Sequence, residues 1–143
     1  MTRTMHDEHQ AMDPFTRHRS ALSDSGEFAR LLGITIIEAR DGYARLRMPS
    51  AGKTNPHGVV HGGAIFSLAD QAFSVAANAG TIRRVAVSIH IQYLAPAHGD
   101  LEAVAERAGD DGNFSLYRVV VYEGKRIIAT CDGVALSDFT IAR

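Results

Sequence analysis

One stretch of this sequence repeats with the period of a helix, and nearly everything after it repeats with the period of a strand. Between Gly63 and Ala79, residues Ile65, Leu68, Ala72, Val75, Ala76 and Ala79 fall on one stripe at 3.6-residue spacing, and Asn78-Ala79-Gly80 ends the pattern. The opposite side holds Phe66, Ser67, Asp70, Phe73, Ser74 and Ala77, where apolar and small residues recur, so this helix is expected to be buried nearly all round. Four strand-like runs follow, at 85–94, 101–107, 114–122 and 125–136, with turns at Gly109-Asp110-Asp111-Gly112 and Glu123-Gly124. Ahead of the helix, ITIIEA and YARLRM read as two strands joined by the Asp41-Gly42 turn. A short helix containing Phe28, Leu31 and Leu32 precedes them, with Ser23 or Asp24 as candidate cap. One long helix must therefore serve six strands. The order predicts an α+β architecture, an antiparallel sheet with one long helix against a face. The helix is rich in small residues, so the sheet can curl closely around it.

Length and charge narrow the function. The 143 residues suit one domain, expected over 21–143, behind a flexible, polar N-terminal tail at 1–20. His6, His9 and His18 fall in that tail and are expected to be solvated. The net charge of −1, without a basic block, gives no electrostatic footprint for nucleic acid. No apolar run approaches the roughly 18 residues of a membrane span, and the N-terminus lacks the apolar core of a secretory signal. A single cysteine, Cys131, excludes an internal disulfide and fits a reducing, cytoplasmic compartment; in its apolar strand it reads as a core residue. His57, His61, His90 and His98 lack metal-ligand spacing, so neither a metal nor another cofactor is expected.

The chemistry concentrates between Asn55 and Ser88. At the start of the long helix, His61-Gly62-Gly63 offers no short capping side chain for the first backbone N–H groups. A glycine-lined helix N-terminus carries about half a positive charge and lets a ligand oxygen approach closely. One such donor is worth on the order of 3 kcal/mol to an oxyanion. The same glycines could instead serve only a tight loop-to-helix turn. Asp70 lies further in, where burying a carboxylate is costly unless it is paired or functional. It is either a structural group bonded to Ser67, Ser74 or a strand, or a reactive one. Eight residues at 1.5 Å rise separate Asp70 from Gly62 by roughly 12 Å, so a site using both needs two subunits or a bent substrate. Asn55 and His61 flank the Gly58 loop and could stabilise it or donate to a carbonyl. Ser88 lies on the polar side of a strand in which Val85, Val87, Ile89 and Ile91 alternate with Ala86, Ser88, His90 and Gln92; that side could face solvent, a partner subunit or a site.

The strings N-x-x-G-x-x-H-G-G-x-I-F-x-L-A-D, from Asn55 to Asp70, and S-x-x-x-Q-Y-L-x-P-A, from Ser88 to Ala97, resemble the hot-dog-fold acyl-CoA thioesterases of the phenylacetate-degradation type, within the 4-hydroxybenzoyl-CoA thioesterase superfamily. The resemblance spans about residues 28 to 138 and implies a hot-dog fold, a sheet wrapped around one central helix. It implies Asp70 as the general base for water, or as a nucleophile forming a mixed anhydride. The Gly62 N–H would polarise the thioester carbonyl with help from Asn55. His61 would hold Asn55 or the carbonyl, and Ser88 would orient the water or the Asp70 carboxylate. Gly63, Phe66, Ser67, Phe73 and Tyr93, with Leu94, are the candidates for the substrate pocket. The resemblance also implies active sites shared across a homodimer, which two dimers could stack into a tetramer. His90 departs from the pattern, standing where a non-titrating or acidic residue is expected.

Arg83, Arg84, Arg118, Lys125 and Arg126 are candidate contacts for CoA phosphates, or solvated surface charges. Two other functions compete with hydrolysis of acyl-CoA. A hydratase or dehydratase would need a His–acid pair at the substrate's α and β carbons, and the H-G-G-x(6)-D spacing favours hydrolysis instead. A non-catalytic acyl-CoA-binding protein would usually carry a DNA-binding segment, for which the N-terminal stretch is short and not basic enough.

Overall fold

The computed structural model describes residues 26–137. The expected tail with its three histidines, and the candidate caps Ser23 and Asp24, lie outside the described residues. Helix α1 (Glu27–Leu31) starts after Gly26 without a side-chain cap. Strands β1 (Thr35–Arg40) and β2 (Tyr43–Met48) form the expected hairpin, and the long helix α2 spans Gly62–Asn78. Strands β3 (Arg84–Tyr93), β4 (Leu101–Asp111), β5 (Phe114–Glu123) and β6 (Arg126–Ser137) complete one antiparallel sheet in the order β1-β2-β4-β5-β6-β3. The sheet curls over α2, which touches all six strands. This is the hot-dog arrangement. No helix among the described residues is long and apolar enough to cross a membrane.

Two turns sit differently from what their sequence suggests. The Gly109–Gly112 turn contracts because β4 bulges between Arg107 and Gly109 and keeps pairing as far as Asp111↔Phe114; Gly112, at φ 59°, makes the reversal. The β5–β6 turn keeps its two residues but moves along by one, to Gly124-Lys125, with Gly124 at φ 58°.

The core lies between sheet and helix. Leu46, Met48, Leu68, Val75, Leu101, Val119, Val121 and Ile128 are fully enclosed there, and each such side chain gains roughly 1.5–3 kcal/mol from leaving water. Phe73 sets the seat of α2. Its ring meets Tyr117 edge-on at 5.2 Å and lies flat against the backbone of Gly133, where any Cβ would stand 2.9 Å from a ring carbon. The buried Tyr117 hydroxyl accepts hydrogen bonds from Arg107 Nε (2.9 Å) and Ser115 Oγ (3.3 Å), and Arg107 also pairs with Asp41 at 2.7 Å. The far end of α2 is tied to β3. Asn78 donates its amide to the carbonyls of Ser74 and Arg84 and accepts from the Arg84 N–H, while the Arg84 guanidinium donates to the Ala77 carbonyl.

Two expectations need correcting. Helix α2 is not buried all round, because the sheet covers only one side. Phe66, Ser67, Asp70, Gln71, Ser74 and Asn78 form a half-open stripe along the other. The clean alternation expected of β3 also fails. A register shift between Ala86 and Ser88 bulges the strand at Val87, so Ile89 and Ile91 pack on the core while Val85 and Val87 stay exposed on the sheet edge.

Gly133→Ala is expected to lower stability by about 1–3 kcal/mol, the usual penalty for overfilling a packed core. In a double-mutant cycle, Phe73→Leu should recover part of that loss. Additive losses, measured by chemical denaturation, would show that the ring and the glycine do not share this seat.

Candidate active site

The loop ahead of α2 places three of the expected site residues. Thr54 and Val60 form an isolated bridge, and the Gly58 N–H, at φ 80°, donates to the Asn55 carbonyl at 3.0 Å. The Asn55 side-chain oxygen accepts from the N–H groups of His57 (2.9 Å) and Val59 (3.3 Å). Its oxygen is therefore engaged in holding the turn. Its NH2 group has no protein acceptor among the described residues.

The start of α2 is not bare, contrary to the expectation from sequence. His61 is the N-cap. Its backbone N–H donates to the Lys53 carbonyl at 2.7 Å, and its Nδ1 accepts from the Gly63 N–H at 2.8 Å. Its carbonyl accepts from Ala64 (2.9 Å) and Ile65 (3.1 Å). Of the helix's first four N–H groups, only that of Gly62 lacks a protein acceptor among the described residues. Accepting at Nδ1 also fixes the neutral His61 ring with its proton on Nε2. His61 thus holds the helix start and not Asn55.

Two clefts flank this junction. One, of about 350 Å³, is lined by Val60, Gly62, Ile65, Tyr93, Leu94, Ala95 and Pro96. Tyr93 lies against Gly62, where a Cβ would stand 3.4 Å from its ring, and its hydroxyl donates to the Gly62 carbonyl at 3.0 Å. The other cleft, of about 340 Å³, is lined by Phe28, Leu32, Gly52, Lys53, Thr54, His61, Gly63, Ala64 and Ser67. The Ser67 hydroxyl donates back to the Gly63 carbonyl at 2.7 Å. Lys53, which the sequence reading passed over, stands two residues before Asn55 in the same loop.

Asp70 lies mid-helix on the half-open stripe, below Phe66 and Ser67. Its carboxylate has no hydrogen-bond or ion-pair partner among the described residues, and burial raises its pKa above the usual carboxylate range. It bonds neither Ser67 nor Ser74, the partners a purely structural role would call for. Its charge reaches Cys131 on β6, whose thiol is pushed up to about 11 by burial, with Asp132 and Asp70 adding to the effect.

The structure does not bring every expected residue to this place. Ser88 pairs with Val134, while its neighbour Ile89 pairs with Gly133, the residue under the Phe73 ring. Side chains alternate along a strand, so Ser88 points to the outer face of the sheet, across it from the Asp70 of its own chain. Phe73 is a core residue at 1% exposure and lines neither cleft at the helix start. Among the candidate cations, Arg84 is spent on the end of α2, Arg118 pairs with Asp132 at 3.2 Å, and Lys125 lines a groove with Tyr43, Arg45 and Tyr122.

Residues 57–110 match the family model of the thioesterase superfamily. The chain is 33% identical over 117 residues to the acyl-coenzyme A thioesterase PaaI of Escherichia coli, covering 79% of this chain and 84% of that protein. It is 35% identical over 113 residues to a putative esterase of Deinococcus radiodurans, covering 75% of each. The solved structure of the E. coli PaaI protein from the phenylacetic acid degradation operon superposes with a TM-score of 0.82 at 28% identity, over 87% of this chain and 94% of that one. With its sheet-wrapped helix and this degree of identity over most of its length, the chain belongs to the thioesterase superfamily and is a hot-dog-fold thioesterase.

Proposed function

We propose that this thioesterase hydrolyses acyl-CoA to the free acid and CoA, with Asp70 as general base. The observation that carries the reading is the state of Asp70, a half-buried carboxylate without a partner among the described residues, held on a stripe that its own sheet leaves open. A base with a raised pKa binds a proton from water more readily than an ordinary carboxylate. Asp70 takes a proton from water as the oxygen attacks the thioester carbonyl carbon. The Gly62 N–H and the Asn55 NH2 donate to the carbonyl oxygen as it becomes an oxyanion. Collapse breaks the C–S bond, and the proton on Asp70 passes to the leaving thiolate. His61 serves indirectly, by capping Gly63 so that Gly62 is the donor left over. Within one chain Ser88 faces away from Asp70, so its role in orienting the water would be played toward the Asp70 of a second copy.

The reach of α2 makes the site a shared one. Gly62 and Asp70 of one helix are roughly 12 Å apart along the axis, too far to serve one carbonyl. A second copy of the chain supplies the missing half. The exposed Val85 and Val87 on the edge strand β3 favour such a homodimer.

Free thiol release from a panel of aliphatic and aromatic acyl-CoAs tests the reaction. Asp70→Asn is expected to lower kcat roughly 10²–10⁴-fold, the usual contribution of a general base, while CoA thioester binding persists. Binding without turnover of any substrate by the unmodified protein would favour an acyl-CoA-binding role instead.

The pH dependence has two faces. The acid limb of kcat should lie above the ordinary carboxylate range, because Asp70 must be ionised to act. Stability should run the other way. A carboxyl whose folded pKa is raised carries no penalty below its unfolded value of 3.8. Stability is lost as pH rises from there through the folded value. Asp70→Asn should therefore raise Tm at pH 7, and the gain should vanish toward pH 3. A Tm gain that did not depend on pH would sink this account of the burial.

Complementation tests the shared site. Asp70→Ala and Asn55→Ala subunits, each inactive, should regain activity on mixing, up to about a quarter per site from random pairing. No recovery despite demonstrated subunit exchange would place both residues in one chain's site.

A further inference from the structure

The two clefts at the start of α2 differ in what they can solvate. The Tyr93 cleft has no charged side chain in its lining. Most of the donors around it are committed, and the Gly62 N–H at the partition is the one left for the thioester carbonyl. The Tyr93 hydroxyl is given to the Gly62 carbonyl, the N–H groups of Leu94 and Ala95 both go to the Ile128 carbonyl (2.8 and 3.2 Å), and the Ala97 carbonyl beside them accepts from Val60 at 2.8 Å. The loop that carries this wall is held in turn by Glu123, which accepts from the N–H groups of His98 and Gly99. A charged group entering here beyond Gly62 would lose water and meet no side chain of opposite charge. The Lys53 cleft is the opposite. It offers an ammonium whose one protein acceptor among the described residues is the Ala51 carbonyl, the Thr54 hydroxyl and the outward N–H of His61, behind a wall of Phe28 and Leu32. Gly62 lines the first cleft and Gly63 the second, so the peptide between them is the partition.

We infer that the substrate lies across this partition in one orientation, with an apolar, uncharged acyl group in the Tyr93–Pro96 cleft and the polar CoA arm leaving over Lys53. The inference rests on the thioesterase reading and adds to it the class of acyl group and the residues that select it. Val60 and Ile65 form the floor, Tyr93 and Leu94 the rim, and Ala95 and Pro96 the side wall. Chain length is read by filling this space. Charge is rejected because no charged side chain lines it.

The test measures kcat/KM for a series of straight-chain acyl-CoAs, an aryl-acyl-CoA and an ω-carboxyacyl-CoA of matched length. Leu94→Ala removes an exposed rim residue and should shift preference toward longer acyl groups. Ala95→Leu should shift it toward shorter ones. A selectivity change of roughly 10–200-fold is expected between the extremes, the range for a misfit of one or a few methylenes. The ω-carboxylate should be the poorest substrate for all three proteins. Lys53→Ala should raise KM for every acyl-CoA by a similar factor. The inference is overturned if both cleft variants leave the acyl ratios unchanged, if Lys53→Ala rather than they alters those ratios, or if the ω-carboxylate is hydrolysed as well as its neutral counterpart. Failure of the thioesterase reading would look different, since the unmodified protein would then release no thiol from any substrate. Leu94 is 59% exposed, so its truncation tests the cleft even if Ala95→Leu fails to fold.

Discussion

The position of α2 depends on a contact that one strand makes possible by lacking a side chain. Phe73 reaches the backbone of β6 at Gly133, and the edge of Tyr117 closes on it from the next strand. A ring lying flat on a peptide fixes both how far the helix sinks toward the sheet and how it is rotated about its axis. Every group of the proposed chemistry on the helix inherits that setting. Asp70 stands three residues before Phe73, about 60° round the helix from the seated ring, and so lies at the border of the core, half-buried beside the open stripe. The Arg107–Tyr117–Ser115 bonds keep this arrangement from carrying an unsatisfied hydroxyl, which would cost about 1–3 kcal/mol.

At the other end of the helix, a histidine does the work usually done by serine or aspartate. The longer imidazole curls back onto Gly63, with Nδ1 2.8 Å from its N–H, and leaves the Gly62 side to Tyr93. Of the donors a helix start provides, one is spent on the cap, two on the His61 carbonyl, and one is left over. The donor left over belongs to a peptide whose own carbonyl accepts two hydrogen bonds, which polarises its N–H further. A single oriented donor suits a single developing charge better than a row of them.

Much of the fold could be read from the period of the hydrophobic pattern, because helix and strand periods do not overlap over seventeen or ten residues. The hairpins were legible from Asp41-Gly42 and Gly124, whose backbone conformations favour those residue types. The helix–sheet seat was not, since nothing local marks Gly133 as the place where a ring must land. The His61 cap was missed because capping is usually the task of short side chains. Strand β3 shows the limit most clearly. A bulge at Val87 changes which face Val85 and Val87 take while the alternation from Ser88 onward holds, and no pattern of alternation can report a bulge before the partner strand is known. The half-open stripe on α2 was also hidden, because Phe66 looks as apolar as a core residue when only composition is read.

The remaining constraint is length. A helix of 17 residues presents its N-terminal donor and its mid-helix carboxylate on a rigid rod, and bending that rod would break its backbone ladder. Within one chain the two groups cannot close on the same carbonyl, whatever the side chains do. Both are nonetheless left without partners among the described residues: the Gly62 N–H by the cap, and Asp70, half-buried, on the stripe the sheet leaves open. A free β3 edge with two exposed valines is where a second chain can add, and antiparallel pairing of two such edges would set the helices side by side in opposite directions. In that arrangement the start of one helix approaches the middle of the other, which turns a separation too long for one chain into the width of one substrate.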